Sequence, residues 1–230
     1  MQNLLGKVFD FGVRVCRMRS ECSLSGGETV KANDIKTDKR TAILQAALEL
    51  IAEKGFHAAP TSKIAQKAGA GVGSIYRYFR DKDELIHAIF TAKEREMSEV
   101  SQLGYDPAAP VRVRFIRLCI NIFGYLTENP KTFSFLEQYF NSPYGITRKR
   151  EELLVEETGK GQGGKRHLFT SLLIDAKNQQ IVKDLPLAVL HALTFGPMLF
   201  VLRDIHSGLA GYEAQVVEKM VEACWDAVKR

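Results

Sequence analysis

Metal and disulfide chemistry have little to work with in this chain. Its 230 residues include four cysteines, Cys16, Cys22, Cys119 and Cys224, which form no CxxC pair and no zinc-finger spacing. The five histidines contain no HExxH or other ligand spacing, so neither a metal nor another cofactor is implied. Cys119 and Cys224 fall on apolar helical faces, as small core residues in a reducing cytoplasm would. The first twenty residues lack the apolar run of a signal peptide, because Lys7, Asp10, Arg14, Arg17 and Arg19 interrupt it. Strand signals are sparse as well. Long segments with a 3.6-residue apolar period dominate, which predicts an all-α protein, and 45% hydrophobic residues is ample for its core.

Charge is present but unevenly placed. Between Lys31 and Lys82 ten Lys/Arg face five Asp/Glu, a surplus of five that equals the formal +5 of the whole chain. The remainder is therefore neutral. A basic module on a neutral body points to a polyanion partner for the module alone, against the plainer reading of a solvated basic face.

The same window holds the most informative stretch, residues 61–79. Ile64, Ala65 and Ala68 give a first short helix an inward face, and Thr61 offers a hydroxyl at its N-cap. Gly69 stops that helix and Gly71 permits the turn, since glycine tolerates positive φ. Val72, Ile75 and Phe79 then recur at i, i+3 and i+7 as the buried stripe of a second helix, whose other face carries Ser74, Arg77 and Tyr78. This is the layout of a helix-turn-helix, with its second helix in the major groove of double-stranded DNA.

From about Arg40 to Leu85 these residues resemble the DNA-binding segment of the TetR family of bacterial regulators. The matching residues are Ile43-Leu44-x-Ala46-Ala47, Gly55-Phe56, Thr61, Ile64-Ala65, Ala68-Gly69, Gly73-Ser74-Ile75-Tyr76-x-Tyr78-Phe79, Lys82 and Glu84-Leu85. All stand in register. One position departs, because Gly71 occupies the place where the family often carries Ser. The resemblance implies base and backbone contacts from Val72, Gly73, Ser74 and Tyr76, and phosphate contacts from Thr61, Tyr78 and Lys82. Arg77 is a further candidate, either paired with a guanine or turned to solvent. Tyr76 has two readings, in the groove or packed inward between helices.

Three domains are expected: a leader over 1–36, a helix-turn-helix domain over 37–82, and a helical regulatory and dimerisation domain over 83–230. Met18 offers an alternative start within the leader. Asp81 caps the helix that should join module to body, with Glu84 three residues later in a capping-box pattern. Pro110 opens an apolar helix ended by Asn129-Pro130, and an aromatic helix follows over 131–141. A charged helix is read at 147–157, then helices near 165–178, 185–206 and 212–229. The resemblance implies an effector pocket in the body. Phe115, Cys119, Phe123, Phe133, Leu136, Tyr139 and Phe140 are its candidate lining, suited to an apolar or aromatic molecule.

Segment 185–202 nearly reaches membrane-spanning length. Its small residues Ala188, Ala192 and Gly196 instead read as a two-fold homodimer face, without a membrane role. Gly159–Lys165 satisfies GxxxxGK, yet residue 166 is Arg where a phosphate loop needs Ser or Thr, and Glu151–Glu157 is helical in character where that loop needs a buried strand. A nucleotide-dependent enzyme built on 159–165 is thus the alternative to the main expectation. That expectation is a cytoplasmic, non-enzymatic, homodimeric repressor on a palindromic operator, released by a small-molecule effector.

Overall fold

A seven-residue helix cannot stand alone in water, so the short helices of this chain need longer ones to pack against. The computed structural model describes residues 32–147 and 168–230, with side chains from residue 39 onward in the first segment. The leader, Cys16 and Cys22, the charged helix read at 147–157 and the 159–165 loop lie outside the described residues, Thr147 excepted. The helices are α1 Ala32–Lys54, α2 Thr61–Lys67, α3 Val72–Tyr78, α4 Lys82–Ser101, α5 Val111–Glu128, α6 Pro130–Phe140, α7 Leu168–Asn178, α8 Leu187–His206 and α9 Ala214–Val228. Helical residues 143–147 lead out of the first segment. Among the described residues the one β pairing is an isolated antiparallel bridge between Val182 and Lys229. The all-α expectation holds.

The described residues form two compact units, one of 32–96 with 129–147, the other of 97–128 with 168–230. This division differs from the boundary drawn between 82 and 83. α6 joins the first unit because its aromatic face has partners there. Tyr139 stacks on Phe90 of α4 with ring centroids 4.1 Å apart, and Phe135 meets Phe56 edge-on at 6.1 Å. Ser134 Oγ donates to the Ala52 carbonyl of α1 at 2.8 Å. In the second unit Phe115 of α5 packs against Phe169 of α7 and Trp225 of α9, at 5.5 and 5.1 Å. Buried Cys119 and Cys224 belong to the same core, where burial pushes both thiols up.

Local signals fix the helix ends. Pro130 is the first residue of α6, so the Asn129-Pro130 pair closes α5 and opens the next helix at once. At the start of α4 the Glu84 amide donates to Asp81 Oδ1 at 2.8 Å, and the Arg80 amide donates to Glu84 Oε2 at 2.7 Å. The capping pattern is therefore reciprocal, displaced by one residue on its second arm. Pro197 inside α8 carries no N–H for the Leu193 carbonyl, a break the apolar period concealed.

Two expectations about the helix-turn-helix need correction. Thr61 is the first residue of α2 and Pro60 is its N-cap, because proline's φ of −69° and ψ of 152° already turn the chain into the helix. The left-handed residue of the turn is Gly69, at φ +62°; Gly71 sits at φ −76° and ψ 151°, as the N-cap of α3, in a conformation open to any residue. A Cβ added at either glycine meets nothing within 4 Å. The two substitutions should therefore separate. Gly69→Ala should lose about 1 kcal/mol from backbone strain alone. Gly71→Ser should gain a few tenths of a kcal/mol as a better cap. Urea unfolding of the two variants beside the parent chain measures both signs.

Candidate nucleic-acid interface

α3 is held by two side chains. Ile75 is fully buried and Phe79, just past its end, is nearly so, with the Arg40 guanidinium of α1 placed 5.2 Å over the Phe79 ring. The third member expected in this stripe, Val72, is the first residue of α3 and is 40% exposed. Val72, Gly73, Tyr76 and Arg77 thus share the open face of α3, and Ser74 and Tyr78 are half-buried at its edges. Tyr76 is 53% exposed, which removes the inward-packed reading. Its hydroxyl lies 3.5 Å from Thr61 Oγ1, so the start of α2 and the middle of α3 meet at one point of the surface.

Lys82 stands apart from this group. Its Nζ donates to the Phe56 carbonyl, bracing the loop after α1 against the first turn of α4. Burial lowers its pKa. The ammonium keeps two more donors, so the brace and a phosphate contact are compatible.

Two features escaped the sequence reading. Glu49 of α1 takes Lys67 of α2 at 2.8 Å and Lys131 of α6 at 3.4 Å, and it accepts from Gln45 at 3.0 Å. The Lys67 ammonium, followed by the Gln45 amide, holds this carboxyl at a pKa of about 2. No sequence spacing links residues 49, 67 and 131. Tyr144 is the second feature, donating to Asp83 Oδ1 at 2.6 Å and stacking over Tyr139 at 6.1 Å. Burial, then the Asp83 bond, pushes its phenol up to about 12.

The effector candidates are divided between the two units. Phe115, Cys119 and Phe123 are buried in the second unit. Phe133, Leu136 and Tyr139 are buried in the first, and Phe140 is 54% exposed there. The aromatic face of α6 is spent on Phe56 and Phe90, contacts that apolar periodicity cannot assign.

Residues 43–89 match the family described as bacterial regulatory proteins, tetR family, and residues 110–229 match the tetracyclin repressor-like C-terminal domain. The chain belongs to the TetR family. A transcriptional regulator of helix-turn-helix type from Haemophilus influenzae is 31% identical over 112 residues, which are 47% of this chain and 58% of that protein. A fatty acid metabolism regulator protein from Bacillus subtilis is 41% identical over 64 residues, 28% of this chain and 33% of its own. The matched parts thus span between a third and three-fifths of these relatives. Among solved structures, a TetR family regulator from Marinobacter aquaeolei has a TM-score of 0.72 at 22% identity, covering 86% of this chain and 98% of its own. The regulator FadR from Bacillus subtilis, solved in complex with stearoyl-CoA, has a TM-score of 0.63 at 19% identity, covering 81% and 98%. Both structures share the fold.

In this TetR-family module the Glu49 node joins α1, α2 and α6 by charge, and its dependence on pH has a definite sign. The folded-state pKa lies below the ordinary 4.5, so the node's contribution is complete above about pH 4.5 and is lost as pH falls toward 2. Glu49→Gln should cost on the order of 1 kcal/mol at pH 7, since the group is partly solvated. The gap from the parent chain should narrow below about pH 4.5 and close as pH falls toward 2. Urea midpoints measured across that range test it; a gap independent of pH would remove the ionic role.

Proposed function

We propose that this TetR-family regulator is a cytoplasmic homodimer that represses transcription from a palindromic operator and is released by a small apolar effector. The observation that carries this reading is the open face of α3, where Val72, Gly73, Tyr76 and Arg77 point outward from a helix fixed by Ile75 and Phe79. Ser74 and Arg77 read bases in the major groove, while Thr61, Tyr78 and Lys82 take phosphates. Two such helices in a dimer would stand about 34–36 Å apart, one turn of DNA.

An uncovered apolar surface supports the dimer. Only 22% of the apolar window of α8 is buried within the chain. Ala192 and Gly196 are exposed, Ala188 is half-exposed, and Val189 and Phe200 of α8 and Val216 of α9 are exposed large hydrophobics. A second copy is the partner that this family supplies for such a face.

The effector reading draws on Phe115, Cys119 and Phe123, an apolar stretch of α5, and on the fold shared with a regulator solved with stearoyl-CoA. Phe133, Leu136 and Tyr139 act through the DNA-binding module, against which they pack. An effector releases DNA only by its differential affinity for the two states of the dimer.

Two experiments test the reading. Across a panel of operator variants, Arg77→Ala should change sequence preference by about 1–3 kcal/mol at the contacted base with no change in thermal melting. Tyr78→Phe should weaken all sequences alike. Fluorescence-anisotropy titrations at several salt concentrations separate the two, and an unchanged ranking with Arg77→Ala would turn that side chain out of the groove. Ala192→Arg should yield monomers or insoluble protein, because it would bury an unpaired charge. Sedimentation equilibrium decides; a soluble dimer of native stability would move the interface away from α8.

A further inference from the structure

We infer that the effector is amphiphilic and that its head is an oxyanion held by Arg114 and Arg117, where α5 meets the turn at 102–105; this rests on the effector reading above. α5 begins with three arginines in seven residues, and their surroundings differ. Arg112 donates to Glu222 of α9 at 2.8 Å and is neutralised there. Arg114 and Arg117 have no carboxylate partner among the described residues. Arg114 Nη1 reaches the Tyr105 hydroxyl at 3.5 Å, and its Nε is buried with no partner among the described residues. One guanidinium N–H buried without a partner costs free energy that an acceptor would recover.

Arg117 follows at i+3 and shares a face of α5 with Arg114. The chain closes on it: a Cβ added at Gly104 would lie 3.8 Å from the Arg117 guanidinium carbon. Asn121 holds that turn in place, its Nδ2 donating to the carbonyls of Ser101 at 3.0 Å and Leu103 at 2.8 Å. The carboxylate adjacent in sequence, Asp106, is already used by the Ala108 amide at 2.9 Å. Two half-buried guanidinium groups and a phenol therefore line this turn, with no carboxylate bonded to either arginine among the described residues. Planar forks of this kind take the oxygens of a carboxylate or phosphate two at a time. Leu118, one turn on from Arg114 along the same face, is fully buried, so apolar surroundings for a tail adjoin the head.

Isothermal titration of the full chain with dodecanoate, lauroyl-CoA and dodecanol tests the inference, the first two distinguishing a carboxylate head from a phosphate one. At least one anion should bind about tenfold or more tightly than dodecanol. The double variant Arg114→Gln/Arg117→Gln should abolish that advantage and leave dodecanol binding unchanged. If melting shows that the double variant is unfolded, Arg117→Gln alone should remove about threefold, by losing one of two forks. Equal binding of all three by the parent chain overturns the oxyanion head and leaves the apolar effector standing. An anion preference that survives in the folded variants places the head elsewhere. No binding of any of the three overturns both.

Discussion

Everything the DNA-binding module presents depends on two buried side chains. α3 is seven residues long, too short to persist without tertiary support. Ile75 and Phe79 supply that support against α1 and α2, and Arg40 covers the Phe79 ring from outside. Because the anchors occupy one side, Val72, Gly73, Tyr76 and Arg77 must occupy the other. A recognition surface is thus the remainder left by a packing requirement. Its geometry is as firm as the packing that receives Ile75 and Phe79.

Much of this was legible in the sequence, and the reason is locality. Helix starts and stops are written in adjacent residues, as with Asp81 and Glu84 at α4 or Pro130 at α6, so these ends were readable. The register of Ile75 and Phe79 was readable for the same reason. Thr61 looks like a cap in the sequence, yet Pro60 does that work by its fixed φ, with no side-chain acceptor to betray it. Gly71 was misjudged because composition cannot tell a glycine needed for positive φ from one that merely begins a helix.

What failed was long range. Period reveals that a helix has an apolar face and is silent on what covers it. α6 shows this most clearly, since its apolar period is plain in the sequence while the neighbours of its aromatic face, Phe56 and Phe90, are not. The Glu49 node was invisible for a related reason. Its partners Lys67 and Lys131 are far apart in sequence, and a single acidic residue in a basic window looks like ordinary compensation.

The node also changes what the charge surplus means. Counted along the sequence, ten basic residues between 31 and 82 face five acidic ones, as though all the cations were available to a polyanion. In the fold, Lys67 is held by Glu49, Arg80 by Asp81 at 2.8 Å, and Lys82 by the Phe56 carbonyl. Arg40 lies over an aromatic ring. Cations already engaged contribute to the long-range field that attracts DNA, yet bringing one into close contact requires its present partner to be replaced. Arg77 and Lys63 are exposed and have no carboxylate partner among the described residues. The same distinction separates Arg112 from Arg114 and Arg117 on α5, where one cation is matched by Glu222 and two are left unmatched beside Tyr105. Sequence charge thus gives only a sum, and the pairing within the fold indicates which side chains remain to bind an anion.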